Sequence, residues 1–266
     1  MRNCPNCNSS EYNLYLTEGD FKIVKCSKCS LVYLLNIPDE SEIYEDYYKI
    51  EFSKDDYAKD SKYPHLAEIY AINDQRLYYL KKLKIKGSLL DIGCGSGLFL
   101  KTAGDYGFNA EGIDVSQTAL TFAKESFKLK VSDEKIEDLI AKNKKYDFVT
   151  LWHVLEHFTN PKDELTKIKN LLNPGGILLI EVPNLNSLKF KLSKNKWKGG
   201  NHPLYHRTFF TSDSLKKTLK LAGFNKTERL KISYELPGKS ALYNISKDAF
   251  NMFAMDAFLD FAAYNN

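Results

Sequence analysis

Three sets of residues in this chain have the types and spacing to do chemistry. The first is Asp91-Ile-Gly93-Cys94-Gly95-Ser-Gly97 together with Asp114. Glycines at such a turn let the backbone approach a ligand and adopt dihedrals closed to residues with a Cβ. The spacing is Gly-x-Gly-x-Gly, and Leu98 rather than glycine follows Gly97, so the dinucleotide pattern Gly-x-Gly-x-x-Gly is absent. A carboxylate from Asp91 at the end of a strand would repel a pyrophosphate but hold a cationic amino-acid group. Asp114, at the end of the next strand, is placed to accept hydrogen bonds from both hydroxyls of a ribose, with Val115 packed on the base. A tight strand-to-helix turn with an incidental acid is the alternative, and the pair of acids in strand context argues against it.

The second set is Cys4-Pro-Asn-Cys7 and Cys26-Ser-Lys-Cys29, two Cys-x-x-Cys knuckles separated by 18 residues. Each knuckle offers two thiolates on one tight turn, and two facing knuckles complete the tetrahedron of a structural Zn²⁺ ribbon. Four thiolates leave two excess negative charges on the site, which Lys25 and Lys28 are placed to offset. A redox dithiol would not explain two knuckles, and four cysteines leave no open position for catalysis by the metal. Cys94, the fifth cysteine, reads as a small apolar residue of the glycine loop and not as a nucleophile.

The third set is histidine. Four of the five lie in two short stretches, His153 with His157 and His202 with His206. On a helix, His153, Glu156 and His157 stand at i, i+3 and i+4 and share one face. A packed or exposed ring is the ordinary state of a lone histidine, so the pairing is what raises interest.

Elements that position these groups follow from the pattern of apolar residues. Leu89–Ile92, Ala110–Ile113, Leu129–Val131, Phe148–Leu151 and Ile177–Val182 read as buried strands. Phe99–Tyr106, Gln117–Phe127, Glu134–Lys142 and Lys162–Leu172 read as the helices between them. That alternation implies an α/β fold with a parallel sheet covered on both faces. Asn173-Pro-Gly-Gly176 is expected to stop a helix and turn into a strand. Thr211–Ala222 reads as a helix capped by Thr211 or Ser212 and ended by Gly223. Lys226–Tyr234 and Phe258–Tyr264 read as closing strands, although Phe250–Phe261 is equally compatible with helix. The expected organisation is a ribbon over 1–38, a helical connector or lid over 39–80 and the main domain over 81–266.

The 266 residues carry 38 basic and 34 acidic side chains, a net charge of +4, too mild to argue for nucleic acid. No apolar stretch approaches the roughly 20 residues of a membrane-spanning helix. No basic segment followed by an apolar one opens the chain, so a cytoplasmic, reducing location is expected. There, paired cysteines read as metal ligands before disulfides.

Residues 80–266 resemble class I S-adenosylmethionine-dependent methyltransferases. The likeness rests on Leu-Asp-Ile-Gly-Cys-Gly-Ser-Gly at 90–97 and Gly-Ile-Asp-Val-Ser at 112–116. It continues with Tyr-Asp-Phe-Val-Thr-Leu-Trp-His-Val-Leu-Glu-His at 146–157 and Leu-Asn-Pro-Gly-Gly-Ile-Leu-Leu-Ile-Glu-Val-Pro-Asn at 172–184. The resemblance implies a Rossmann-like seven-stranded sheet with its last strand antiparallel, next to the small N-terminal zinc ribbon. It implies S-adenosylmethionine as cofactor, with Asp91, Gly93, Cys94, Gly95 and Gly97 at the methionine part and Asp114 at the ribose. Val115, Ile136 and Glu137 would border the adenine, and Trp152 and His153 the methyl group. Placed after the strand aimed at that methyl group, His157 or His153 is expected as a general base, with Glu156 orienting an imidazole.

The 153–157 segment also resembles ubiquinone-pathway O-methyltransferases, in which Glu-Val-Leu-Glu-His is associated with a divalent metal. His153 replaces the first glutamate, leaving a divalent ion at His153, Glu156 and His157 as an open reading. Asn201–Thr211 resembles the acceptor-pocket segment of small-molecule methyltransferases with an N-terminal ribbon, which implies that His206 lies close to the acceptor. Bacterial enzymes of that type imply a small polar acceptor, acidic or nucleotide-linked: a sugar, a sugar-nucleotide or a phosphorylated capsule precursor. Lys189, Lys191, Lys194, Lys196 and Lys198, with Phe190 and Trp197, form either a solvated segment or a basic lid over it. Tyr44, Tyr47, Tyr48, Phe52 and Tyr57 form either a docking face or an aromatic wall. Two readings compete. An RNA methyltransferase would carry Asn/Asp-Pro-Pro-Tyr/Phe where this chain has Leu151-Trp-His-Val, and a non-catalytic binding protein would not need both Asp91 and Asp114.

Overall fold

The computed structural model describes residues 2–37, 66–82, 87–187, 190, 205–230 and 257–266. The aromatic stretch from Tyr44 to Tyr57, the lysines from Lys189 to Lys198 and His202 lie outside them. No described helix is long and apolar enough to cross a membrane. Close packing divides the chain into two units. One comprises residues 1–39, 151–230 and 250–266, the other 40–150 and 231–249.

The first unit opens with a hairpin, β1 (Tyr12–Glu18) antiparallel to β2 (Phe21–Cys26), and β3 (Val32–Leu34) returns antiparallel to β2. The first described element of the second unit is α1 (Leu66–Lys82). From there strands and helices alternate: β4 (Ser88–Ile92), α2 (Leu98–Asp105), β5 (Asn109–Ile113), α3 (Gln117–Phe127), β6 (Val131–Ser132), α4 (Ile136–Ala141) and β7 (Tyr146–Trp152). β4 pairs in parallel with β5 on one side and β7 on the other, and β5 pairs in parallel with β6. β4 is buried from Leu89 to Ile92, as a parallel strand covered on both faces must be. Ser116 caps α3, its hydroxyl accepting from Ala119 N at 3.2 Å, which sets the turn directly after Asp114.

The rest of the first unit follows β7: a single 3-10 turn (Leu155–His157), α5 (Pro161–Lys169), β8 (Leu172–Pro183), β9 (Thr208–Phe209), α6 (Ser212–Leu221), β10 (Lys226–Arg229) and β11 (Phe258–Tyr264). β11 runs antiparallel to both β8 and β10, settling Phe258–Tyr264 as strand. The seven strands follow the order β10-β11-β8-β7-β4-β5-β6, the Rossmann-like sheet with a reversed strand near one end.

Two local expectations are corrected. Asn173-Pro-Gly-Gly176 does not separate a helix from a strand, because α5 already ends at Lys169 and β8 begins at Leu172. Gly175 takes φ +77 there, and its N–H donates to Asn265 O at 2.7 Å while Gly176 O accepts from Asn265 N, so the turn is absorbed into strand pairing. Residues 153–157 form no α-helix. His153 adopts φ +57, which interrupts any helix before the 3-10 turn begins.

The N-terminal hairpin is not a free-standing sheet. β3 pairs antiparallel with β9, Val32 opposite Phe209 and Tyr33 opposite Thr208, giving a four-stranded sheet β1-β2-β3-β9.

Candidate cofactor loop, histidine cluster and metal centre

The glycine loop joins β4 to α2. Gly93, Gly95 and Gly97 all take positive φ (72°, 51° and 78°), a region that costs an L-residue about 1–2 kcal/mol. Gly97 has a second reason: a Cβ there would stand 2.4 Å from Leu129 Cδ1. Around Gly95 nothing among the described residues lies within 4 Å of such a Cβ, so that face of the loop is open toward them. Gly93 N and Cys94 N both donate to Ile113 O, stitching the loop to the end of β5. Cys94 is buried, and burial pushes its thiol far above its ordinary range, leaving the neutral apolar group expected.

Asp91 is 2 % exposed at the end of β4. Thr150, directly beside it in register on β7, donates its hydroxyl to Asp91 Oδ1 at 2.6 Å. Burial pushes the Asp91 carboxyl up to about 7; the Thr150 hydrogen bond and the charge of Arg76 pull it down, and Asp114 adds to the rise. Asp114 accepts from Gly95 N at 2.8 Å through Oδ2 and from Ser116 N at 2.9 Å through Oδ1. It therefore ties the glycine loop to the start of α3, and each oxygen keeps a lone pair for a further donor. Burial raises its carboxyl, while the N–H groups of Ser116, Gly95 and Val115 oppose the rise. Val115, an apolar side chain, is 74 % exposed beside it. Ile136 is buried and Glu137 exposed at the start of α4.

The histidines form two arrangements, not one face of a helix. The backbone N of His153 donates to Glu181 O at 2.9 Å, while its Nε2 lies 2.8 Å from Glu181 Oε1 and its Nδ1 lies 3.5 Å from Glu156 Oε1. Crowding by neighbours would lower the imidazolium pKa, but the two carboxylates override it and push His153 up to about 10. His157 makes a separate contact: its Nδ1 lies 2.9 Å from Tyr205 O. A carbonyl only accepts, so Nδ1 carries the proton and Nε2 of the neutral ring keeps its lone pair. The rings of His157 and His206 meet edge to face, centroids 4.8 Å apart. His206 is 5 % exposed, and burial pulls it down to about 4, against the charge of Glu156. It is neutral at pH 7.

Glu156 sits between the two arrangements, 1 % exposed. Burial alone would raise its carboxyl, but His153 first and then the His157 and His206 rings hold it below the ordinary range. Neither of its oxygens has a well-formed hydrogen-bond partner among the described residues. Glu156, His157 and His206 bring one ligand atom each within 4.8 Å of one another. A buried carboxylate with unfilled acceptor sites and an imidazole oriented by a carbonyl fit a divalent cation. His206 therefore takes the place expected for His153, which is engaged by Glu181. A small cavity adjoins the cluster, lined by Glu156, His206 and Thr208 on its polar side and by Leu185, Phe190 and Phe209 on its apolar side.

The four N-terminal cysteines converge as their spacing predicts. Cys4 Sγ lies 3.4 Å from Cys29 Sγ and Cys7 Sγ lies 3.5 Å from Cys26 Sγ, with all four sulfurs within 4.8 Å. Sulfurs bound tetrahedrally to zinc at about 2.3 Å are roughly 3.8 Å apart, so the set fits Zn²⁺. No disulfide joins them. The two knuckles repeat one turn: Asn8 (φ +56) and Ser30 (φ +66) follow the second cysteine of each, and their N–H groups return to Cys4 O and Cys26 O. The cation that faces the Cys4 charge is Arg2; burial lowers its pKa while Tyr33 and Cys4 oppose that, and its guanidinium lies 5.3 Å from the Tyr33 ring centroid.

Sequence reasoning passed over Thr150, Glu181 and the backbone of Tyr205 and Arg207. Glu181 had a signal, a lone acid inside the apolar run Ile177–Val182. Thr150 had a weaker one, a hydroxyl in Phe148–Leu151. Carbonyl acceptors carry no sequence signal.

Residues 63–229 match the family model described as a methyltransferase domain. The chain is 32 % identical over 153 residues to the ubiquinone biosynthesis O-methyltransferase of Dinoroseobacter shibae, covering 53 % of this chain and 61 % of that protein. It is 29 % identical over 125 residues to the Coxiella burnetii protein of the same name, covering 44 % and 53 %. The match thus spans little more than half the length of these relatives. Among solved structures it is similar in fold to the plantazolicin methyltransferase BpumL in complex with SAH (TM-score 0.56, 20 % identity, 85 % of this chain and 91 % of that one). It is also similar to a Thermotoga maritima SAM-dependent methyltransferase described as a possible histamine N-methyltransferase (TM-score 0.55, 18 % identity, 79 % and 97 % covered).

Proposed function

The chain belongs to the methyltransferase-domain family, and from that premise we propose that it transfers a methyl group from S-adenosylmethionine to a hydroxyl of a small acceptor, with His157 taking the proton. Asp91 receives the cationic amino-acid end of the cofactor. Asp114 receives the ribose hydroxyls on its two remaining lone pairs, and Val115 and Ile136 flank the adenine. Trp152 and His153 follow Thr150, the partner of Asp91, by two and three residues along the chain. His153, held as a cation by Glu181 and Glu156, contributes charge and position, not proton abstraction.

The observation that carries this reading is the fixed tautomer of His157. Its Nδ1–H is committed to Tyr205 O, which makes Nε2 the lone-pair nitrogen of the neutral ring and the one to which a hydroxyl proton would pass. The reacting bond change is an in-line displacement: the acceptor oxygen bonds to the methyl carbon, the carbon–sulfur bond breaks, and the proton goes to Nε2. The unfilled oxygens of Glu156 favour a second reading, exclusive of the first because an Nε2 bound to a metal cannot take the proton. A divalent cation held by Glu156, His157 and His206 would lower the pKa of a bound hydroxyl.

For the acceptor, the cavity between Leu185, Phe190 and Phe209 and polar Glu156, His206 and Thr208 has room for about one water, enough to admit a hydroxyl but not the ring that bears it. The names of the Dinoroseobacter and Coxiella relatives agree with that chemistry. A sugar, sugar-nucleotide or phosphorylated capsule precursor is the other acceptor class, supported by the lysines between Lys189 and Lys198. Assaying the protein against hydroxylated aromatic rings and nucleotide-linked sugars, with and without Mg²⁺ or Zn²⁺ and with release of S-adenosylhomocysteine as readout, tests the proposal. No turnover with either class, with or without metal, would count against it.

A further inference from the structure

We infer that the N-terminal ribbon is a wall of the site that holds His157 and His206, and that Leu34 and Arg207 are positioning residues connecting the two. The inference rests on the histidine cluster being the acceptor site, as proposed above. Its basis is the backbone of Arg207. The Arg207 N–H donates to Glu156 O at 2.8 Å, and Arg207 O accepts from Leu34 N at 2.9 Å. One residue is thereby fixed on one side by the turn that carries Glu156 and His157, and on the other by the third strand of the ribbon. The two residues before it on the chain, Tyr205 and His206, both meet His157.

Packing repeats the connection. Ile23, Val32 and Leu34 from the ribbon form one buried cluster with Leu185, Phe190 and Phe209. Those last three residues line the apolar side of the cavity next to Glu156 and His206. A third tie comes from the first knuckle, where Arg2 Nη1 donates to Thr159 O at 3.1 Å, two residues beyond His157. In the same knuckle, Asn6 Nδ2 donates to Thr218 Oγ1 on α6 at 2.6 Å. A ribbon built to dock an outside partner would not need its inner strand paired to β9 and its apolar face spent on the cavity wall. Four thiolates gathered on a metal fix the turns that precede β1 and β3, and a ribbon without its metal loses that restraint. The consequence is a positional one: without the metal, β3 no longer holds β9, and the Tyr205 carbonyl no longer selects the His157 tautomer.

The test uses the full chain and needs no acceptor. Leu34→Ala and Leu34→Met are compared with the parent for zinc content, S-adenosylmethionine affinity and the ¹⁵N spectrum of the histidine rings. Both variants are expected to keep one zinc per chain and a cofactor affinity within about twofold, as sites without shared partners do. The parent should give the Nδ1–H pattern for His157, Leu34→Ala an averaged tautomer pattern, and Leu34→Met the parent pattern again. Stripping zinc from the parent with a thiol reagent should reproduce the averaged pattern while cofactor binding persists, which covers the case in which Leu34→Ala does not fold. Unchanged His157 and His206 signals after verified zinc loss would overturn the inference. Failure of the proposed function looks different: turnover would survive His157→Ala while the spectral coupling to the ribbon remained.

Discussion

His153 Nε2 lies 2.8 Å from Glu181 Oε1, and this pair, joined by Glu156 on the other ring nitrogen, separates two histidines that a helical spacing would have made equivalent. The two carboxylates push His153 up to about 10 against the effect of burial, so it remains a cation through the neutral range. His157 is held differently, its Nδ1 donating to the Tyr205 carbonyl, so the two rings meet unlike partners.

The first prediction concerns the titration of His153. Followed by NMR, its ring should stay protonated well past pH 8, and Glu181→Gln should bring its midpoint down toward the ordinary histidine range. The linked stability has a definite sign. Because the folded pKa lies above the unfolded value of about 6.5, the contribution is complete below pH 6.5 and declines as pH rises, vanishing near pH 10. Denaturant unfolding at pH 6 and pH 9.5 should therefore differ less in Glu181→Gln than in the parent. A midpoint near 6.5 in the parent would contradict the pairing.

Substitution should separate the roles of the two rings. His157→Ala should lower kcat by roughly 10²- to 10⁴-fold with S-adenosylmethionine affinity unchanged, as loss of a general base does. His153→Ala should act first on stability, because it leaves Glu156 and Glu181 buried without their cation. With the His153 side chain 38 % exposed, the cost should fall between surface and buried ion pairs, roughly 1–3 kcal/mol. Measuring kcat, cofactor affinity and unfolding midpoint on both variants decides the matter. Equal losses of cofactor affinity in both would remove either histidine from the chemistry.

Asp91 gives a prediction for the cofactor. Burial pushes its carboxyl up to about 7, so near neutral pH the unliganded site is partly protonated. A cationic amino-acid group placed beside it favours the carboxylate, and binding must release a proton. Affinity should weaken by up to about tenfold per unit below pH 7, and should fall again above about pH 8 as the α-amino group of the cofactor loses its own charge. Thr150→Val removes the hydrogen bond that opposes the rise, so affinity at pH 7 should drop by roughly ten- to a hundredfold. Calorimetry in buffers of different ionisation heat measures the proton directly, and no proton release at pH 7 would refute the assignment.

How far the sequence carried depended on the range of the interaction. The β4 glycine loop, the strand ends at Asp91 and Asp114 and the paired knuckles are local patterns, and each forms where its spacing indicates. Gln117–Phe127 and Phe258–Tyr264 keep the bounds that their apolar periodicity suggests. What the spacing does not convey is which distant group reaches a side chain. The i, i+3, i+4 relation of His153, Glu156 and His157 assumes helical dihedrals, and the φ of +57 at His153, fixed by Glu181 O, removes them. The union of β3 with β9 pairs Val32 with Phe209 and Tyr33 with Thr208, residues far apart along the chain that no window of sequence brings together.

The glycines offer a last test, because two of them share a conformation but not an environment. Gly95 and Gly97 both take positive φ, so alanine at either position costs about 1–2 kcal/mol in backbone strain. At Gly97 the new methyl would also displace Leu129 Cδ1, the movable end of a half-buried side chain, and crowd Ala123 Cβ at 3.2 Å, adding about 1 kcal/mol at the low end of overpacking. At Gly95 it would meet nothing among the described residues, only whatever binds against the loop. Gly97→Ala should therefore lower the unfolding midpoint more than Gly95→Ala. Gly95→Ala should instead lose cofactor affinity out of proportion to its small loss of stability. If Gly95→Ala binds S-adenosylmethionine as the parent does, the open face of the loop is not where the cofactor lies, and the carboxylate of Asp91 would have to be assigned another partner.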